Sequence, residues 1–398
     1  MPQTAVLAEQ LNLLLSSSTS EEFFEDDLLS LARRHLKTLL ETSLDLEMTA
    51  YLGCGRHIRS DTRGDWRNGY YTRDLVTGFG VLERLRIPRC RKGGFEPSLF
   101  GRYQRRKEQV DRFVRSLFFL GVSTRGVGEA LELLLGFSPS ASCVSKVVAG
   151  IDSEVKAFHK RPLSDEYRYL FLDGLTVRLK ELPQAVTRLV LVAYAITTDG
   201  RRDLIDYRVV TSESASEWER FLESLYERGL RGQNLKMVTT DGGSGLKAAL
   251  PQVYPEIPRQ LCWAHKLRNV ANYLPRSQQA ECVREARPIY LANNRREARK
   301  AWKDWEERWA SAAPEAVACL ARDLEWLLTF LQCPEDHRRL VRTTNYIERL
   351  IRELRRRTRP MGAFADRPSC DRLFYGVTQR LNRKWRTKKP LPEFTHKT

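Results

Sequence analysis

The chain has 398 residues, with 67 Lys and Arg against 50 Asp and Glu, a formal net charge of +17. Hydrophobic residues make up 42% and aromatics 10%, enough apolar material for more than one core, so a mainly disordered chain is excluded. The longest apolar run, Leu189 to Ile196, is eight residues where a membrane helix needs about twenty. No charged leader with an apolar stretch opens the sequence, which leads us to expect a soluble, cytosolic protein. Eight cysteines without a framework spacing suggest a reducing compartment and mostly buried thiols. A basic chain of this kind suits a polyanionic partner.

The charge is not spread evenly. Residues 1–50 hold 3 basic against 9 acidic side chains, a net −6. The tract Ser16-Ser17-Ser18-Thr19-Ser20 ends in a helix start, with Glu21 and Glu22 in the first turn. From Phe23 to Leu44 apolar residues recur at helical spacing (Leu28, Leu31, Leu36, Leu39, Leu40), predicting an amphipathic helix used for packing or oligomerisation.

Residues 51–110 hold 14 basic against 6 acidic side chains, +8. Tyr70 to Val76 and Val81 to Ile87 read as strands, with Thr77-Gly78-Phe79-Gly80 as the turn. Arg84 and Arg86 alternate with Leu85 and Ile87, giving one apolar and one cationic face. Arg89, Arg91, Lys92, Arg102, Arg105, Arg106 and Lys107 continue the basic surface. Contact with a DNA backbone is one reading, and a solvated hairpin face is the other.

Residues 109–160 predict three helices: a first, a second opening at Ser123-Thr124-Arg125 and closing at Gly136, and a third starting near Ser140-Ala141-Ser142. Cys143, Val144, Val147 and Val148 make the apolar side of the third, which also carries Lys146. A helix-turn-helix fits this pattern, as does an ordinary three-helix bundle.

Residues 165–265 have the clearest organisation. Strands are expected over Tyr167–Val177, Leu189–Ile196 and Leu204–Val210, with a turn at Thr198-Asp199-Gly200. Ser214 and Glu217 form a capping box before a helix carrying Trp218, Phe221, Leu222 and Leu225. A short strand, Met237–Thr240, runs into Asp241-Gly242-Gly243, then a helix over Leu246–Leu250 and a strand near Arg259–Cys262. Three antiparallel strands, a helix, then strand–helix–strand is the order of an α/β RNase H-like core. Residues 266–340, rich in Trp302, Trp305, Trp309 and Trp326, read as an all-α insertion. The expected architecture is therefore an RNase H-like catalytic core with an all-α insertion, preceded by a mainly helical DNA-binding region with a helix-turn-helix and a β-hairpin. Residues 341–398, with 16 basic against 5 acidic side chains, add a basic arm of +11.

Such a core carries one carboxylate on its first strand and one at the end of its fourth. Asp173, in Leu170-Phe171-Leu172-Asp173-Gly174, and Asp241 occupy those places. A charge after buried strand residues is expensive unless paired or metal-bound. Strand-end turn and helix cap are the alternative roles. Asp199, Asp203 and Asp206 are rivals, the first in a turn and the others three apart on a strand. A third carboxylate is expected from a helix on the sheet. Glu348 sits beside the stripe Ile347, Leu350, Ile351 and Leu354, with Arg352, Arg355, Arg356 and Arg359 on adjacent faces. The competing account is a capping box from Asn345 with a Glu348–Arg352 ion pair. Three carboxylates suit two hard divalent cations, which activate a nucleophilic oxygen and stabilise a leaving oxygen at a phosphodiester.

These residues match a known pattern. Arg67-Asn68-Gly69-Tyr70-Tyr71 with Pro88-Arg89, Ser123-Thr124-Arg125 through Gly136-Phe137-Ser138 to Ser145, Asp173-Gly174, and Asp241-Gly242 with Gly245 and Ala248 form its first part. Cys262-Trp263-Ala264-His265 with Arg268-Asn269, and Thr344-Asn345-Tyr346-Ile347-Glu348-Arg349 with Arg355-Arg356-Arg357 and Gly362-Ala363-Phe364, form the rest. The chain resembles the Mutator-type insertion-sequence transposases, which are DDE transposases, from about residue 50 onward. Leu261 and Ala365 depart from that family's usual Arg and Pro. The resemblance implies a Mg²⁺-dependent enzyme, with Mn²⁺ able to substitute. It would bind terminal inverted repeats of double-stranded DNA, cleave the ends and transfer strands into target DNA. Asp173, Asp241 and Glu348 would be metal ligands, and His265 would orient phosphate or a metal-bound water. Arg67, Arg84, Arg86, Arg125, Ser142, Lys146, Arg268, Arg352, Arg355, Arg356 and Arg359 would contact DNA. A homodimer or higher homo-oligomer in the bacterial cytoplasm, associated with the nucleoid and not with membranes, follows. Cys262 and His265 with Cys333 and His337 are a minor candidate for a zinc site.

Overall fold

A 32-residue helix, α1 (Glu21–Leu52), heads the described part of the chain. The computed structural model describes residues 21–58, 64–99, 101, 104–181, 184–359 and 362–394, and for residues 21–27 and 345–350 the backbone alone. The Ser16–Ser20 tract and Arg102 lie outside the described residues. The chain divides into two units, Met1–Phe118 with Val122–Val148, and Phe119–Gly121 with Ala149–Thr398.

In the first unit α1 packs on a hairpin of β1 (Arg67–Thr77) and β2 (Gly80–Cys90). Both strands run further than their apolar alternation predicts. Gly80 closes the turn at φ +108, a conformation that suits only glycine. The buried seam of α1 is Leu44, Met48 and Leu52, one helical turn apart. Leu44 meets Leu75, Leu85 and Ile87, while Met48 and Leu52 meet Cys54 and Cys90. This corrects the stripe expected from periodicity: Leu31 is buried, but Leu28 and Leu39 are exposed. Apolar spacing shows that a helix has a face, and the partner's position decides which turns of it are covered.

The acidic charge of α1 is used on the basic hairpin. Asp45 accepts hydrogen bonds from Tyr70 Oη (3.0 Å) and Arg56 Nη2 (3.1 Å) and lies 3.6 Å from Arg67. Arg33 Nε and Lys37 Nζ donate to the Phe79 and Glu83 carbonyls at 2.7 and 2.8 Å. Helices α2 (Glu108–Phe119), α3 (Thr124–Leu135) and α4 (Ala141–Ala149) follow. Ser123 caps α3 by accepting from the Gly126 N–H, and Gly136 closes it at φ +63. Gly128 permits close approach of the α3–α4 turn, since a Cβ there would meet the Pro139 carbonyl at 2.9 Å.

The second unit opens with α5 (Asp152–Lys160) and carries a five-stranded sheet of β3 (Tyr167–Glu181), β4 (Gln184–Thr197), β5 (Arg202–Val210), β6 (Met237–Thr240) and β7 (Arg259–Leu261). The spatial order is β5-β4-β3-β6-β7, antiparallel across β3–β4–β5 and parallel across β3–β6–β7. The parallel half needs crossovers, supplied by α6 (Ala215–Glu227) and α7 (Ser244–Val253). One sheet face is the main core, where Leu170, Leu172, Leu191, Ala193 and Val238 pack against Trp218, Leu222, Leu246 and Leu250. Ser214 caps α6 through the Glu217 N–H, as the capping box predicts.

After β7 the chain is helical: α8 (Trp263–Ala271), α9 (Arg276–Glu285), α10 (Arg287–Leu291), α11 (Arg295–Trp309), α12 (Pro314–Arg322), α13 (Leu324–Leu327) and α14 (Glu335–Val341). Trp302, Trp305 and Trp309 are buried, whereas Trp326 is exposed. The chain ends in α15 (Asn345–Thr358) and α16 (Arg367–Arg386). The latter closes the β5 edge: Asn382 pairs with both the N–H and the carbonyl of Leu204, at 2.9 and 3.0 Å. All eight cysteines are free thiols, seven of them buried and Cys143 partly so. No helix among the described residues is long and apolar enough to cross a membrane.

Candidate active site

Parallel pairing of β3 with β6 sets the site. Leu172 partners Thr240, so Asp173, the next residue of β3, and Asp241, the first residue past β6, come to adjacent positions. Asp173 is only 5% exposed, and one carboxylate oxygen accepts the Gly174 N–H at 2.8 Å. Burying that charge is costly unless something compensates. Asp241 accepts the Gly243 N–H at 3.0 Å, which folds the chain back into α7, and Gly242 holds φ +90. The rival carboxylates have other partners. Asp206 is buried against His159 Nδ1 (2.7 Å) and Arg228, Asp203 accepts from Tyr167 Oη (2.7 Å), and Asp199 pairs with Arg201.

Asp173 forms one wall of a cavity of about 710 Å³. Gly174, His265, Arg268, Ile351, Arg352, Arg355, Arg356 and Arg359 complete the lining. One strand and two helices, α8 and α15, therefore bring seven sequence-selected residues to a single acid-floored, guanidinium-rimmed hollow. Asp241 is not in that lining, yet its charge reaches His265.

His265 is pushed up to about 9, chiefly by its contact with Cys262, with Asp173 and Asp241 adding attraction against the penalty of burial. Burial alone would raise the Cys262 thiol, but His265 and Thr344 hold it below its usual value. The Thr344 N–H and Oγ1 lie 3.2 Å from Cys262 Sγ, and Thr344 Oγ1 lies 3.3 Å from His265 Nδ1. The Cys–His signature thus ties the end of β7 to the residue preceding α15. The other Cys–His pair sits apart from it: His337 contacts Tyr169 Oη at 2.7 Å and the Glu393 carbonyl at 3.0 Å. Among the described residues no group of three or more His, Cys, Asp or Glu is placed to hold a metal ion. The Cys262, His265, Cys333 and His337 set is therefore not formed.

Glu348 falls in the first turns of α15, and its side chain lies outside the described residues. Further along, Ile351 and Leu354 are buried and Arg352, Arg355, Arg356 and Arg359 are exposed. Thr344 is at the cap and Asn345 is the first helical residue, so the backbone does not put Asn345 at the N-cap position that the capping box assigns to it.

Glu213 was not singled out from sequence. It stands just before the Ser214 cap, and a methyl group added at Gly243 would lie 2.9 Å from Glu213 Oε1 and 3.5 Å from Asp241 Oδ1. Burial and the Asp241 charge push the Glu213 carboxyl up. Local spacing carries no sign of this, because the two acids belong to different crossovers.

In the first unit Arg84, Arg125, Ser142 and Lys146 are exposed, and Arg84 sits at φ +49 where the register slips. Arg67 donates to Thr49 Oγ1 at 2.6 Å, and the Arg86 guanidinium lies over the Tyr70 ring at 4.4 Å. Both are engaged within the unit.

Residues 5–388 match the model of the transposase Mutator family. The transposase for insertion sequence element ISRM5 of Rhizobium meliloti (strain 1021) is 35% identical over 353 residues, 89% of this chain and 88% of that protein. The transposase for IS406 of Burkholderia multivorans is 34% identical, covering 89% and 91%. That for IS256 in transposon Tn4001 of Staphylococcus aureus is 31% identical, covering 88% and 90%. The chain belongs to the Mutator family of transposases.

Proposed function

We propose that the second unit is an RNase H-like catalytic core of DDE type, and that Asp173, Asp241 and Glu348 are its acidic triad. The observation that carries this reading is the Leu172–Thr240 pairing, which juxtaposes two carboxylates from separate strands beside an arginine-rimmed cavity. Carboxylate oxygens are the donors that Mg²⁺ prefers and Mn²⁺ accepts. When bound, two such ions would supply activation of the attacking oxygen and stabilisation of the leaving oxygen at a DNA phosphodiester. The chain's own groups do the rest. Arg268, Arg352, Arg355, Arg356 and Arg359 hold the phosphate backbone across the cavity. His265, held as a cation chiefly by its contact with Cys262, adds positive charge beside the scissile phosphate.

The first unit reads as the end-recognition module, with α3 and α4 as a helix-turn-helix. Exposed Arg125, Ser142 and Lys146 would contact DNA from it, and Arg84 from the hairpin. Arg67, which also bonds Thr49 of α1, and exposed Arg86, stacked on Tyr70, extend the same basic hairpin surface toward DNA. The substrates are the element's terminal inverted repeats and a target duplex. The protein works as a homodimer or higher homo-oligomer on the bacterial chromosome, in the cytoplasm.

The test uses a duplex carrying the inverted repeats that flank the coding sequence. Asp173→Asn, Asp241→Asn and Glu348→Gln are each expected to abolish Mg²⁺-dependent end cleavage and strand transfer while specific end binding persists. Normal cutting by Asp173→Asn or Asp241→Asn overturns the site, and normal cutting by Glu348→Gln removes the third ligand.

A further inference from the structure

The first unit has a cavity of about 430 Å³, within the range of roughly 300–1,000 Å³ that small-ligand pockets occupy. It lies between the hairpin and the segment that follows it. Its walls are of two kinds. Tyr71, Ile87, Pro88, Phe95 and Pro97 supply flat or aliphatic surface, and Arg73, Arg89 and Arg105 supply guanidinium groups. Glu96 is the one acid among the described residues of the lining. The segment carrying Arg105 is fixed to β1, because the Val76 N–H donates to the Arg105 carbonyl at 2.9 Å and the Lys107 N–H to the Val76 carbonyl at 3.0 Å. Backbone pairing therefore holds the cations close together. Burial and the neighbouring Arg105 charge pull Arg73 below the usual guanidinium range, and burial with Arg73 does the same to Lys107. Crowded like charges in a concave site raise the local potential for an anion.

The apolar walls decide which anion. Aromatic and proline surface does nothing for a bare phosphate, but suits the face of a nucleobase. A base inside a duplex offers only its edges, since stacked neighbours cover both faces. A ring inside a cavity can stack only on a base that has left the helix. We infer that this cavity holds one unstacked nucleotide of a DNA strand, its phosphate against Arg73, Arg89 and Arg105 and its base against Tyr71 and Phe95. The inference rests on the first unit being the DNA-binding module, and adds that part of the bound DNA is unpaired there.

The full-length protein is irradiated with a twelve-nucleotide thymidine oligomer carrying one 5-iododeoxyuridine, and adducts are mapped by mass spectrometry. Adducts on Tyr71 or Phe95 are expected from the single strand and not from the same strand annealed to its complement. No adduct on the cavity walls, or equal adducts from the duplex, overturns the inference. Tyr71, 37% exposed, can be replaced without opening a core, unlike Phe95, which packs on the Met48 cluster. Tyr71→Ala should weaken binding of the oligomer about fivefold or more, the lower bound for one aromatic–base stack. Tyr71→Phe should bind as the unmodified protein does, and unchanged affinity in Tyr71→Ala overturns the stacking role. Binding of a duplex carrying the inverted repeats reports separately: if Arg125→Ala with Lys146→Ala leaves it unchanged, the reading of the first unit as the end-recognition module fails while the cross-link result stands.

Discussion

Asp173 and Asp241 are adjacent because Leu172 and Thr240, the residues before them, are partners across two parallel strands. A one-residue slip of that pairing would turn one carboxylate to the opposite face of the sheet. The site depends on register, and the register depends on the apolar residues of β3 and β6 that face the core.

Gly243 keeps the space between Glu213 and Asp241 open. Its φ of −53 suits any residue, so a substitution there acts by volume alone. Gly243→Ala puts a methyl 2.9 Å from Glu213 Oε1. Cleavage should fall roughly ten- to a hundredfold, as small displacements at reacting centres do, with little change in melting temperature. Removing the obstruction with Glu213→Ala in the same chain should restore part of the rate. Wild-type cleavage by Gly243→Ala would show that this gap plays no part in positioning Asp241.

His265 gives the site a defined pH response. Its folded value of about 9 stands above the ordinary 6.5, so its stabilising contribution is complete below pH 6.5 and fades as pH rises through 9. The difference in melting temperature between the unmodified protein and His265→Gln should therefore shrink across that window. A difference that stays constant from pH 6 to 10 would mean that the imidazole is not held as a cation.

The seam of α1 separates two neighbouring leucines. Leu44 is fully buried against the hairpin and Leu46 is 64% exposed. Leu44→Ala should cost about 2–5 kcal/mol, and Leu46→Ala no more than about 0.5 kcal/mol. Urea unfolding of both variants measures this, and equal losses would place the seam elsewhere.

Arg352 and Arg355 line the cavity beside Asp173 from one helix. If both meet phosphates, the double alanine variant should flatten the dependence of log affinity on log salt by about 2, close to one for each lost contact. A titration with random duplex at several salt concentrations reads the slope. An unchanged slope would remove both from the DNA path.

Much of this was legible in the chain. Alternation and apolar runs marked every strand of the sheet, and Ser123, Gly136 and Ser214 marked helix ends whose backbone groups they satisfy. Asp173 and Asp241 stood out as charges following buried strand residues. These signals are local, since each rests on a residue and its near neighbours along the chain. Segment charge was legible in sum but not in use. The acid of α1 neutralises part of the basic hairpin, with Arg67 lying 3.6 Å from Asp45 and bonded to Thr49 of that helix.

Only the tertiary structure decided what meets what. It covered Leu44, Met48 and Leu52 in place of Leu28 and Leu39, because the hairpin lies against the later turns of α1. It joined Cys262 and His265 to Thr344, and brought Glu213 to the gap beside Asp241. Contacts between distant segments depend on strand order and crossover, and no local period in a sequence encodes those. The sequence by itself determined which residues bear charge on buried elements and what family the chain belongs to. Strand register and helix packing determined which of those charges share a site.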